Sequence, residues 1–163
     1  MGKTLIIYYS AEGHTKRVAE IIAKTLNADT FEIRPKEPYT KEDLDWINPN
    51  SRSTKQHAGE LSQEVELENA EVPNWTDYDK VFIGYPIWWG YAAYPTTSFV
   101  AGKDFTDKIV IPFCTSHSSG IGDSDLKIKH STTTGTWYDG FRFFQDATED
   151  KIVSWVKSLR FNK

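Results

Sequence analysis

Thr4-Leu5-Ile6-Ile7-Tyr8-Tyr9-Ser10-Ala11-Glu12-Gly13-His14-Thr15-Lys16 carries an apolar, aromatic run straight into a small polar turn. Beyond it Val18, Ile21, Ile22, Thr25 and Leu26 recur at the spacing of one helix face. The stretch therefore predicts strand, turn, helix. A helix entered in this way points unpaired backbone N–H groups and the positive end of its dipole back into the turn, an arrangement suited to a phosphate. Gly13 lets the backbone approach closely, and Ser10 and Thr15 add hydroxyl donors. The turn contains neither Gly-x-Gly-x-x-Gly nor the Gly-Lys-Ser/Thr ending of a P-loop. Taken alone, it also fits an ordinary polar connection.

Working outward, two near-continuous apolar runs, Lys80 to Tyr85 and Lys108 to Cys114, have the pattern of strands buried on both faces. Pro112 cannot donate to a central ladder, so that strand is expected to end or bulge there. Thr30 to Ile33 alternates like an edge strand, and Phe141 to Phe144 is the last predicted strand. Helices are expected over about 54–67, at 96–100 after Pro95, over about 123–131, and from Thr148, with Glu149 and Asp150 in the first turn and Ile152, Trp155, Val156 and Leu159 facing the core. The long polar connection over 34–77 is of a length that either covers a site or is simply solvated. Five strands alternating with helices predict a doubly wound α/β sheet over a single domain, 1–163.

Composition narrows the partners. With 163 residues, 39% apolar, 26% charged and a net charge of −4, the chain has the make-up of a soluble globular protein and lacks the basic clusters of a nucleic-acid binder. The single cysteine, Cys114, excludes an internal disulfide, and no cysteine–histidine cluster has zinc spacing. No membrane span or signal peptide is apparent, so a reducing, cytoplasmic setting is expected. Cys114 and His117 could suggest a nucleophile-and-base pair, but a lone cysteine at the end of an apolar strand is expected to be a small buried hydrophobe.

In a doubly wound sheet, ligands sit beyond the carboxyl ends of the strands where strand order reverses. That rule gathers three loops: Ser10 to Thr15; Pro86-Ile87-Trp88-Trp89-Gly90-Tyr91; and Thr115-Ser116-His117-Ser118-Ser119-Gly120-Ile121-Gly122. The first suits a phosphate, the second brings aromatic faces, and the third is rich in backbone donors. A flat, polar-edged heterocycle carrying one phosphate satisfies all three.

These blocks, with Tyr9-Ser10-x-x-Gly13-x-Thr15, Gly84-Tyr85-Pro86-Ile87-Trp88-Trp89, Pro112-Phe113-Cys114-Thr115 and Ser119-Gly120-Ile121-Gly122 in that order, resemble the small bacterial branch of the flavodoxin-like superfamily over nearly the whole chain. The resemblance implies a five-stranded parallel sheet in order 2-1-3-4-5, FMN as cofactor and a redox function. It makes Ser10, Gly13, His14 and Thr15 phosphate-loop positions, with Ala11 and Glu12 supplying backbone. It lays Pro86, Ile87, Trp88, Trp89 and Gly90 along the isoalloxazine ring, and brings Thr115, Ser116, His117, Ser118, Ser119, Gly120 and Gly122 toward its polar edge. Glu12 and His14 depart from the family's usual threonine and asparagine, so Glu12 is expected to face solvent or pair with Lys16.

Three function classes follow from the resemblance. The foremost is a one-electron carrier between redox partner proteins. The second is an NAD(P)H-dependent reductase of quinones or free flavins, and the third a flavin-poor relative with a binding or regulatory role.

Overall fold

In the computed structural model, which describes residues 2–117 and 120–160, the opening stretch forms strand β1 (Lys3–Tyr8) and helix α1 (His14–Leu26). The edge strand β2 (Asp29–Glu32) follows. Next come the short helix α2 (Arg52–His57) and a 3-10 turn at Trp75–Asp77. The long strand β3 (Tyr78–Trp88) folds back into β4 (Tyr91–Ala92) and leads to α3 (Tyr94–Ala101). The chain closes with β5 (Ile109–Ser116), α4 (Ser124–Lys129), β6 (Thr136–Trp137), β7 (Phe141–Phe144) and α5 (Glu149–Ser158).

The sheet runs β2-β1-β3-β5, and its last position is shared by β6 and β7, each parallel to β5. This is the expected 2-1-3-4-5 order of a flavodoxin-like doubly wound sheet, with the fifth position divided between two short segments. The β3–β4 hairpin is antiparallel, as is an isolated bridge between Pro35 and Leu67.

Period-two alternation sends β1 and β3 side chains to opposite faces. Leu5, Ile7, Tyr9, Val81, Ile83 and Tyr85 pack with Phe99, Val100 and Ile128 from α3 and α4 on one face. Ile6, Tyr8, Phe82 and Phe113 pack with Val18, Ile22, Ile152 and Trp155 from α1 and α5 on the other. Gly84 sits on the second face because a Cβ there would meet the Phe113 ring at 2.2 Å.

Three expectations are corrected. The helix predicted over 54–67 stops at His57, because Gly59 turns the chain with φ +82° and the following polar residues have no helical apolar face to bury. Pro112 neither ends nor bulges β5, which stays in register with β3 through Ile83↔Pro112. On the other side β6 pairs only Ile109 and Val110, and β7 begins at Phe113, so the missing N–H falls where that flank of the ladder is interrupted. Third, Pro86, Ile87 and Trp88 are not loop residues; they prolong β3, with Pro86 opposite Thr115 and Ile87 opposite Ala92.

Candidate functional site

Strand order reverses between β1 and β3, whose ends lie side by side: the Tyr9 N–H donates to Gly84 O at 3.0 Å. The Ser10–Thr15 turn leaves this point. Gly13 takes φ +94°, a left-handed conformation that favours glycine, and a Cβ there would meet nothing within 4 Å. Its N–H donates to Ser10 Oγ at 3.0 Å, so the turn is held by its own hydroxyl. No side chain caps α1, nor α3 or α4, whereas Ser51 caps α2 and Thr148 caps α5. The first turn of α1 thus presents backbone donors and the positive dipole end without a protein acceptor from a cap.

The turn is locked to β5 by one buried bond. Thr15 Oγ1 and Thr115 Oγ1 lie 2.7 Å apart, both side chains buried. Thr115 and Ser116 belong to β5 rather than to the loop after it, a further correction to the expected boundaries. His117 and Gly120 lie beyond the strand, exposed; Gly122 takes φ +54°; Ser118 and Ser119 lie outside the described residues. His14 and His117 line a common open cavity of about 580 Å³ together with Phe144, Gln145 and Asp146. Both imidazoles can donate to an anion there. Arg17 is committed elsewhere, donating to the Gln145 and Ala147 carbonyls and so tying α1 to the β7–α5 junction. Glu12 is exposed and forms no ion pair with Lys16, which leaves it facing solvent, one of the two expected arrangements.

The two tryptophans divide the hairpin between core and site. Trp88 is wedged edge-on among Tyr9, Tyr39 and Tyr94, with ring centroids at 5.9, 5.0 and 5.6 Å. Trp89 and Gly90 form the two-residue turn, both at positive φ (50° and 79°), as hairpins that follow strand twist require. The Trp89 ring stacks on His57, centroids 4.6 Å apart and planes 5° from parallel.

Nothing in the sequence spacing connects His57 with Trp89. Tyr39 and Arg52 likewise carry no local signal that ties them to the hairpin. The Arg52 guanidinium lies 3.8 Å over the Tyr39 ring, and Tyr39 Oη donates to Gln56 Oε1 at 2.7 Å. The 34–77 connection therefore covers the hairpin rather than hanging in solvent. Burial among these rings pushes the Tyr9 phenol well above its ordinary value, against a smaller lowering by Arg52.

Cys114 is buried, and desolvation raises its thiol to about 12. It is the inert core thiol expected from the sequence, not a nucleophile.

Fold and turn together define a doubly wound protein with an uncapped first helix and an aromatic hairpin at the switch point. The chain belongs to the flavodoxin family, whose model matches residues 3–159. It is similar to a Bacteroides uniformis protein assigned as a flavoprotein, with 34% identity, 96% of this chain and 99% of that one covered, and a TM-score of 0.87. A second such protein, from Bacteroides eggerthii, shares 35% identity over 96% and 97% of the two chains, with a TM-score of 0.84. A flavoprotein from Lactobacillus acidophilus, solved in complex with FMN, is 25% identical over 93% and 98%, with a TM-score of 0.67. No curated protein matches. Among the described residues no helix is long and apolar enough to cross a membrane.

Proposed function

We propose that this chain is an FMN-binding redox protein that carries single electrons between partner proteins. The observation that supports it most is the uncapped first turn of α1, set beside a turn already shaped by Gly13 and Ser10. A phosphate dianion would accept from those backbone N–H groups, with His14 and His117 as further donors from the adjoining cavity. The Thr15–Thr115 bond fixes where the donors stand relative to β5.

The FMN complex of the Lactobacillus acidophilus relative supports the choice of flavin. In this reading Trp89 and Gly90, at the hairpin tip, and His117, just past β5, would flank the isoalloxazine, while Trp88 packs against the core and supports the hairpin. Bound FMN would supply reversible one- and two-electron chemistry. The chain's own contribution is to hold the phosphate, present an aromatic face and keep water from one side of it through α2 and His57. The net charge of −4 suits docking on a basic partner.

The test is the absorbance spectrum of the purified protein after incubation with FMN and gel filtration, followed by NADPH oxidation with a quinone acceptor. Retained flavin with negligible NADPH turnover is expected. A protein that emerges colourless would remove FMN binding, and rapid turnover would replace the carrier with an NAD(P)H-dependent quinone or flavin reductase.

A further inference from the structure

The stack of His57 on Trp89 stands on a platform built by the rest of the 34–77 connection. α2 begins at Ser51, whose side chain accepts from the Thr54 N–H. Its last turn is held through Gln56, which is buried. The Gln56 side chain accepts from Tyr39 Oη at 2.7 Å and donates to Ser62 O at 2.9 Å, and its backbone carbonyl accepts from Gln63 Nε2 at 2.9 Å. Arg52, at the other end of the helix, donates to Glu37 O at 2.9 Å and covers the Tyr39 ring. Tyr39 in turn packs edge-on against Trp88, at the base of the hairpin. His57 directly follows Gln56, so its imidazole leaves a fixed backbone and reaches Trp89 from a helix tied to the same hairpin.

Trp89 needs such support. It takes φ +50°, a left-handed backbone that is uncommon for a bulky side chain, and it stands at the tip of a two-residue turn. Conformations of this kind persist where the surroundings hold them. Trp88, one residue earlier, is held by three tyrosine rings. Among the described residues the ring contact of Trp89 is with His57, planes 5° from parallel. A contact so nearly parallel covers one face of the indole and leaves the other for a second flat ring.

We propose, resting on the FMN reading above, that His57 is a positioning residue of the flavin site: it backs Trp89 so that the opposite face of the indole is presented to the isoalloxazine. His57 touches no atom of the flavin in this arrangement, and its effect passes through Trp89. It acts on the ring and not on the phosphate, so FMN and riboflavin feel it equally. The long connection thereby acquires a task, which is to hold one imidazole behind one indole.

The experiment is fluorescence titration of FMN and of riboflavin against the wild-type protein, His57→Ala, His57→Phe, Trp89→Ala and the double variant, with urea unfolding of each flavin-free protein as the check on folding. His57→Ala should weaken both flavins by the same factor, about two- to tenfold, the range of one aromatic contact, and leave the bound flavin less quenched. His57→Phe, which keeps a flat ring, should restore affinity and quenching. In the Trp89→Ala background His57→Ala should change nothing further, a coupling that general loosening of the fold would not produce. Wild-type affinity in His57→Ala, no rescue by phenylalanine, or additive losses in the double variant would overturn the proposal. So would tighter binding in His57→Ala, which would make the stack a latch that flavin must break, and so would a loss confined to FMN, which would move His57 to the phosphate. Failure of the wild-type protein to bind either flavin would remove the FMN reading and this role together, whereas wild-type binding with an indifferent His57→Ala would remove this role alone.

Discussion

Replacing Thr15 by valine removes one hydroxyl and little else, because the two side chains have nearly the same shape. In the folded protein Thr115 Oγ1 would lose its partner at 2.7 Å while remaining buried, at 2% exposure. A buried hydroxyl left unsatisfied costs about 1–3 kcal/mol. For a chain of 163 residues, each kcal/mol lowers Tm by about 2–4 °C, so a fall of about 2–12 °C is expected. Urea unfolding of the flavin-free protein should show the midpoint falling with the slope unchanged. Thr115→Val should behave alike. The double variant should recover most of the loss, because two apolar groups of the same shape leave nothing unpaired. If the double variant loses the sum of the two single effects, the hydroxyls are not coupled and the turn is not fastened to β5 in this way.

The two tryptophans should separate under substitution. Trp88→Ala, in the core among three tyrosines, should cost about 3 kcal/mol in urea unfolding, whereas Trp89→Ala should change stability by under about 1 kcal/mol and weaken FMN in a fluorescence titration. Burial raises Cys114 from 9.0 to about 12 and Tyr94 from 10.0 to about 12. Both groups keep their protons longer in the folded state, so their contribution is full below pH 9 and is lost as pH rises from about 9 to 12. The urea midpoint should fall over that window, and Cys114 should resist a thiol reagent at pH 8 until the chain unfolds. Glu12→Thr should tighten FMN at low salt and by less at high salt, because it removes an exposed carboxylate beside the phosphate turn.

Elements whose signals are local were legible in the sequence. Phe141–Phe144 and the helix after Thr148 appear where strand composition and an N-cap with acidic residues behind it place them, and Thr148 Oγ1 accepts from the Lys151 N–H at 3.2 Å. The first strand, turn and helix were legible because the apolar period changes from continuous to helical across Gly13. The hairpin was not, since its turn carries Trp89 where Asn or Asp would announce positive φ, and Pro86 mimics a break. Pro112 passes through β5 because of how two later segments divide the sheet edge, which no local pattern encodes. The Ser10–Thr15 turn was legible as a turn entering a helix, but the stacking of His57 on Trp89 joins residues with no periodic relation, and only the folded connection brings them together.

The most direct measurement compares FMN with riboflavin, which lacks only the phosphate. Hydrogen bonds to a charged group contribute about 1.5–3 kcal/mol each, so two backbone donors at the start of α1 amount to at least about a hundredfold in Kd. In side-by-side fluorescence titrations FMN should therefore bind at least a hundredfold more tightly. Equal affinities would contradict the assignment of the Ser10–Thr15 turn as the phosphate site.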